Sequence, residues 1–124
     1  MAEFIEIPSL NFHDSGKKFT IEERLVYESD LWPDLIIVPA GFVTDLASIP
    51  RIFQSLIPKI GKHALPAIVH DYLCRLDGFD RRLADRIFLE AMKERGVNRI
   101  RRRLMYWAVA LLTFFLRKRG DANE

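Results

Sequence analysis

The sequence holds a single cysteine, Cys74. That excludes an internal disulfide and any cysteine-rich zinc site, while leaving the redox compartment open. It also lacks an apolar run long enough to span a bilayer. The longest candidate, Leu104 to Leu116, is thirteen residues against the ~20 that a crossing needs. It reads as a core helix, with an interfacial amphipathic anchor as the alternative. The N-terminus, Met1-Ala2-Glu3-Phe4-Ile5-Glu6, lacks the basic start and apolar stretch of a secretory signal, so export by that route is not expected. There is little excess of either charge, with 19 Lys and Arg against 17 Asp and Glu. The chain as a whole is therefore no polyelectrolyte. No internal repeat and no low-complexity segment is present.

What the 124 residues do contain is enough apolar material, 49%, for one domain that needs neither disulfide nor structural metal. A single domain over 1–124 is expected, with 1–17 an extended lead-in ending in the turn signal Asp14-Ser15-Gly16 and 120–124 a disordered tail. Phe19, Ile21, Leu25 and Tyr27 alternate with Thr20, Glu22 and Arg24, which predicts one half-buried strand from Phe19 to Tyr27. After the turn from Ser29 to Asp34, Leu35-Ile36-Ile37-Val38 predicts a second strand, stopped by Pro39-Ala40-Gly41. Helical signals follow. Ser48 is a candidate N-cap for a short helix ended by Pro58, and a second helix is expected from about His63 to Leu76, terminated by Asp77-Gly78. Asp80 should cap a third, stopped at Gly96, and Asn98 a fourth, from Arg99 to about Arg119. The fold class is α+β: a small N-terminal antiparallel β-sheet packed against a helical hairpin and a long C-terminal helix.

The residues that fit a plain helical hairpin least are His70, Asp71 and Asp85. On a wheel of about 100° per residue, the small side chains Ala67 and Cys74 separate His70 from Asp71 and leave room for something to approach. Asp85 lies inside an apolar arc formed by Ala84, Ile87, Phe88, Leu89, Ala91 and Met92, where a carboxylate is costly unless paired. The short turn from Asp77 to Asp80 folds the third helix back on the second and brings Asp85 opposite His70. An Asp holding one imidazole nitrogen leaves the other as a general base, so His70 and Asp85 are the candidate catalytic residues. Asp71, with Asp45 from the preceding loop, could hold a divalent cation, calcium being the best match to carboxylate ligands. Thr44, Ser48 and Arg51 are candidate substrate-binding residues. The competing reading is structural: an Asp71–Arg75 pair one turn apart, Asp85 paired with Arg81, Arg82 or Arg51, His70 a satisfied core histidine, and turn or cap chemistry for Thr44, Asp45 and Ser48. His13 and His63 have no supporting context.

The run Gly41-Phe42-Val43-Thr44-Asp45-Leu46-Ala47-Ser48-Ile49-Pro50-Arg51, followed by Val69-His70-Asp71, Ala84-Asp85-Arg86-Ile87-Phe88 and Leu104 to Val109, resembles a family of small uncharacterised proteins encoded by tailed bacteriophages and prophages. The resemblance covers roughly Trp32 to Val109 and implies a phage origin, without an activity. A narrower similarity concerns the site alone. His-Asp on one helix with an Asp on an antiparallel one looks like secretory calcium-dependent phospholipases, which implies a water-activating role for His70, a calcium ligand at Asp71 and an orienting role for Asp85. Those enzymes have a Tyr where this chain has Cys74, and their disulfides and calcium loop are missing.

Three functions are weighed on these residues. The first is a phage-encoded hydrolase acting on esters or amides of the bacterial envelope. The second is a non-catalytic virion or assembly component that meets other phage proteins. The third is a lysis accessory lying on a membrane through 104–119. Nucleic acid is not an expected partner, since no recognition motif accompanies Arg99 to Arg103. The expected location is the infected host cytoplasm or the virion.

Overall fold

A computed structural model describes residues 2–12, 18–44 and 64–123. Within them the chain forms six strands, β1 (Glu3–Glu6), β2 (Leu10–Phe12), β3 (Phe19–Ile21), β4 (Leu25–Glu28), β5 (Ile36–Val38) and β6 (Val43–Thr44). Three helices follow, α1 (Ala64–Arg75), α2 (Arg81–Glu94) and α3 (Arg99–Asn123). The fold is α+β, as the sequence patterning implies. Asp45, Ser48, Arg51, His13, His63 and the expected short helix near Ser48 lie outside the described residues.

The strands make two three-stranded antiparallel sheets, β1-β4-β5 and β2-β3-β6. Two expectations are corrected here. The lead-in contributes a strand to each sheet: β1 pairs with β4, and β2 with β3. Second, the single strand expected from Phe19 to Tyr27 is two, parted at Glu22-Glu23-Arg24. Three successive charged, exposed side chains cannot keep a period of two with one face in the core. The chain bends there and changes sheet, and Arg24 Nη2 donates to Glu6 Oε1 at 2.9 Å.

The sheet β1-β4-β5 faces the helices with fully buried Leu25, Tyr27 and Val38, which share the core with Ile68, Val69 and Leu73 of α1 and Ile87, Phe88 and Met92 of α2. Tyr27 fastens the layers: its hydroxyl donates to Glu90 Oε1 at 2.6 Å, while Glu90 Oε2 accepts from the Asp30 N–H. Burial, and then the Glu90 carboxylate, push the Tyr27 phenol far above its ordinary pKa. It stays protonated and donating.

The helical turns position the site. Gly78 (φ 81°) supplies the left-handed residue after α1. Asp80 caps α2 by accepting from the Arg82 N–H at 3.0 Å. Gly96 (φ 78°) closes α2, with Val97 N–H returning to the Met92 carbonyl at 2.9 Å. Asn98 caps α3 through the Ile100 N–H at 2.8 Å. That helix runs on to Asn123, into the segment expected as a tail. No described helix is long and apolar enough to cross a membrane.

Candidate functional site

His70 lies on the inner face of α1, and Asp85 sits on α2 about one turn after the cap at Asp80. The α1–α2 hairpin runs antiparallel, so the two meet. His70 Nε2–H donates to Asp85 Oδ1 at 2.6 Å, with side-chain exposures of 0% and 3%. The carboxylate that is out of place in an apolar arc is thus paired with the imidazole. Phe88, three residues after Asp85, packs its ring on the imidazole with centroids 5.0 Å apart, fixing the ring's plane. With Nε2 committed to Asp85, Nδ1 is the nitrogen left to accept a proton.

Cys74, one turn after His70, brings Sγ to 3.6 Å from Nε2 and 3.8 Å from Nδ1. Burial pushes its thiol pKa up to about 11; Arg81 pulls the other way, while Asp85 and Asp71 add to the rise. At neutral pH Cys74 is a thiol, so it lines the imidazole as a weakly polar contact instead of a second anion. Arg81 keeps its Nε buried without a hydrogen-bond partner.

Asp71 faces a different neighbourhood. Thr44 Oγ1–H donates to Asp71 Oδ2 at 2.6 Å, Arg75 Nε donates to Oδ1 at 3.2 Å, and Arg75 Nη2 lies 3.0 Å from Oδ2. Arg75 Nη1 also donates to the Val43 carbonyl at 3.0 Å and the guanidinium lies over the Phe42 ring, which in turn meets Tyr72 edge-on. The pair expected of Asp71 and Arg75 as ordinary helix electrostatics is therefore a clamp from α1 to β6. Both carboxylate oxygens are taken, so a cation at Asp71 would have to displace a guanidinium as well as a hydroxyl. Among the described residues there is no group of three His, Cys, Asp or Glu side chains that could hold a metal ion.

Asp85 has a second aspect. Between α2 and α3 lies an open cleft of about 530 Å³, lined by Asp85 together with Arg82, Leu83, Arg86, Tyr106 and Phe114. Arg82 and Arg86 stand one turn apart on α2; the sequence reading gives Arg82 only as an ion-pair partner for Asp85 and assigns Arg86 no role. Their spacing, with Asp85 between them, is the signal that could have marked a charged wall. Tyr106 and Phe114 belong to α3 and reach the cleft only through the packing of α3 on α2. Asp85 thus touches the buried imidazole and also borders a cleft of mixed charge.

The fold and site define an α+β domain with a buried His–Asp pair beside an open, arginine-walled cleft. The chain belongs to a family of proteins of unknown function, DUF1353, whose model matches residues 19–109. It is also similar to an uncharacterized protein, y4jT, of Sinorhizobium fredii (strain NBRC 101917 / NGR234), being 37% identical over 81 residues. Those residues are 64% of this chain and 23% of the relative, so the chain spans about a quarter of that protein's length. No solved structure matches the chain.

Proposed function

We propose that the chain is a hydrolase whose acid–base chemistry is carried by the Asp85–His70 pair. The observation that carries this reading is that Asp85 borders the cleft while accepting a hydrogen bond from the fully buried His70. The roles drawn from the sequence are exchanged. Asp85 is the group that meets substrate, and His70 is its positioning residue. In this mechanism Asp85 takes a proton from the water attacking an ester or amide carbonyl and returns it to the leaving alcohol or amine. His70 Nε2–H holds the carboxyl group in position throughout. Arg82 and Arg86 supply positive charge where the carbonyl oxygen becomes negative.

A phage origin and an envelope ester or amide as substrate complete the proposal. They rest on the motif from Gly41 to Arg51 and on the partly apolar lining of the cleft, which also carries both signs of charge. Hydrolysis of p-nitrophenyl acetate and butyrate, and of the corresponding anilides, by the full chain tests the reaction class. Turnover absent from wild type, or equal in wild type and His70→Ala, overturns it.

A second reading is favoured by one observation, the clamp Thr44–Asp71–Arg75–Val43. It ties α1 to β6, at the start of the segment that joins the sheets to the helices. A polar network spent on fixing that junction suits a non-catalytic virion or assembly component. Mass spectrometry of purified particles carrying the gene tests that reading.

A further inference from the structure

The helix α3 leaves one face uncovered. Ile100, Leu104, Trp107, Leu111 and Phe114 are 70%, 44%, 68%, 55% and 56% exposed, while Met105, Ala108 and Val109 on another side are buried against the core. At about 100° per residue the five exposed residues fall within roughly 80° of arc. They form one apolar stripe of four turns, centred on a tryptophan.

The charge of the chain is concentrated on the same helix. Between 99 and 120 there are seven basic residues, Arg99, Arg101, Arg102, Arg103, Arg117, Lys118 and Arg119, and no acidic one. Twelve Lys and Arg against all 17 Asp and Glu remain for the rest of the chain, a net charge of −5. A near-neutral protein has thus separated its charge, with the cationic part bracketing the apolar stripe at both ends.

We infer that α3 docks this protein on an anionic lipid surface, lying in the plane of the interface with the stripe in the headgroup–acyl boundary. Apolar side chains and tryptophan favour that depth, and flanking arginines pair with lipid phosphates while their stems cover acyl surface. The same 4-3-4-3 spacing would also suit a coiled-coil seam with a second copy. A second copy would bring its own seven cations to that seam, and repulsion disfavours it. Nucleic acid would accept the cations but offers no apolar phase to cover the stripe of Ile100, Leu104, Trp107, Leu111 and Phe114. Phe114 belongs both to the stripe and to the cleft lining, so docking would set the cleft's mouth beside the lipid. The docking stands whether or not the cleft is catalytic.

The test is flotation of the full chain with vesicles of phosphatidylcholine alone and with a third phosphatidylglycerol, at 0.05 M and 1 M salt, together with light scattering to give its mass in solution. The inference expects a monomer that floats with the anionic vesicles, at least about tenfold less with neutral ones, and less again at 1 M salt where charges are screened within ~3 Å. Trp107→Glu and Leu111→Glu place a charge on exposed positions, so they should keep the wild-type melting temperature and lose flotation. No flotation with anionic vesicles, equal flotation of both variants, or a dimer that both variants dissociate would overturn the inference.

Discussion

The His70 imidazole and the Asp85 carboxylate meet 2.6 Å apart, the imidazole fully buried and the carboxylate 3% exposed where it borders the cleft. Taking these groups from water is costly, and their mutual hydrogen bond is what offsets it. Removing one partner therefore strands the other. Asp85→Ala should lower unfolding free energy by about 3–5 kcal/mol, read from urea melts. Asp85→Asn retains an acceptor for His70 Nε2–H and should cost no more than about 1 kcal/mol. Equal losses in the two variants would show that charge, rather than the hydrogen bond, holds the pair together.

Thr44→Val keeps shape and removes the hydroxyl that donates to Asp71 Oδ2. The carboxylate keeps Arg75 but loses its shortest bond. A loss of about 1–2 kcal/mol is expected in chemical denaturation, and Asp71→Asn in the Thr44→Val background should add less than it does alone. Strict additivity would mean that the two residues are not coupled.

Cys74 gives a pH dependence of defined sign. Its folded pKa is raised to about 11, so between the ordinary thiol range near 8.5 and that value the unfolded chain has released a proton that the folded one retains. Stability contributed by this group is complete below about pH 8.5 and falls as pH climbs toward 11. Cys74→Ala should flatten that slope, and iodoacetamide at pH 8 should label folded protein far more slowly than urea-unfolded protein. Equal labelling rates would contradict a partly buried thiol with a raised pKa.

Calcium separates the two environments of the carboxylates. Because Arg75 and Thr44 already occupy Asp71, adding calcium after EDTA should leave the melting temperature unchanged. A rise that Asp71→Asn abolishes would instead mean that the cation displaces Arg75, and would support a metal role for Asp71.

Much of the helical half was legible because its signals are local. Asp77-Gly78, Asp80, Gly96 and Asn98 each set a helix end within a few residues, and a carboxylate at position 85 inside an apolar arc demanded a partner, with His70 and the nearby arginines as the candidates. The first two strands were not legible, since β1 is covered on one face only in part and exposes Glu3 and Ile5 on the other. Its stability comes from pairing with β4 and from Phe4 on Tyr27, ring centroids 4.6 Å apart, contacts made across more than twenty residues of chain. The cleft was hidden for the same reason: Arg82 and Tyr106 approach one another only through the packing of α3 on α2. A wheel of either helix alone contains no cavity.

The most direct measurement is kcat for p-nitrophenyl butyrate hydrolysis and melting temperature determined together on wild type and Asp85→Asn. The account predicts that Asp85→Asn melts within a few degrees of wild type and loses at least about a hundredfold in kcat, the range expected for a missing general base. Unchanged turnover in an equally stable Asp85→Asn protein would contradict it and leave the His70–Asp85 pair as a structural fastening of the α1–α2 hairpin.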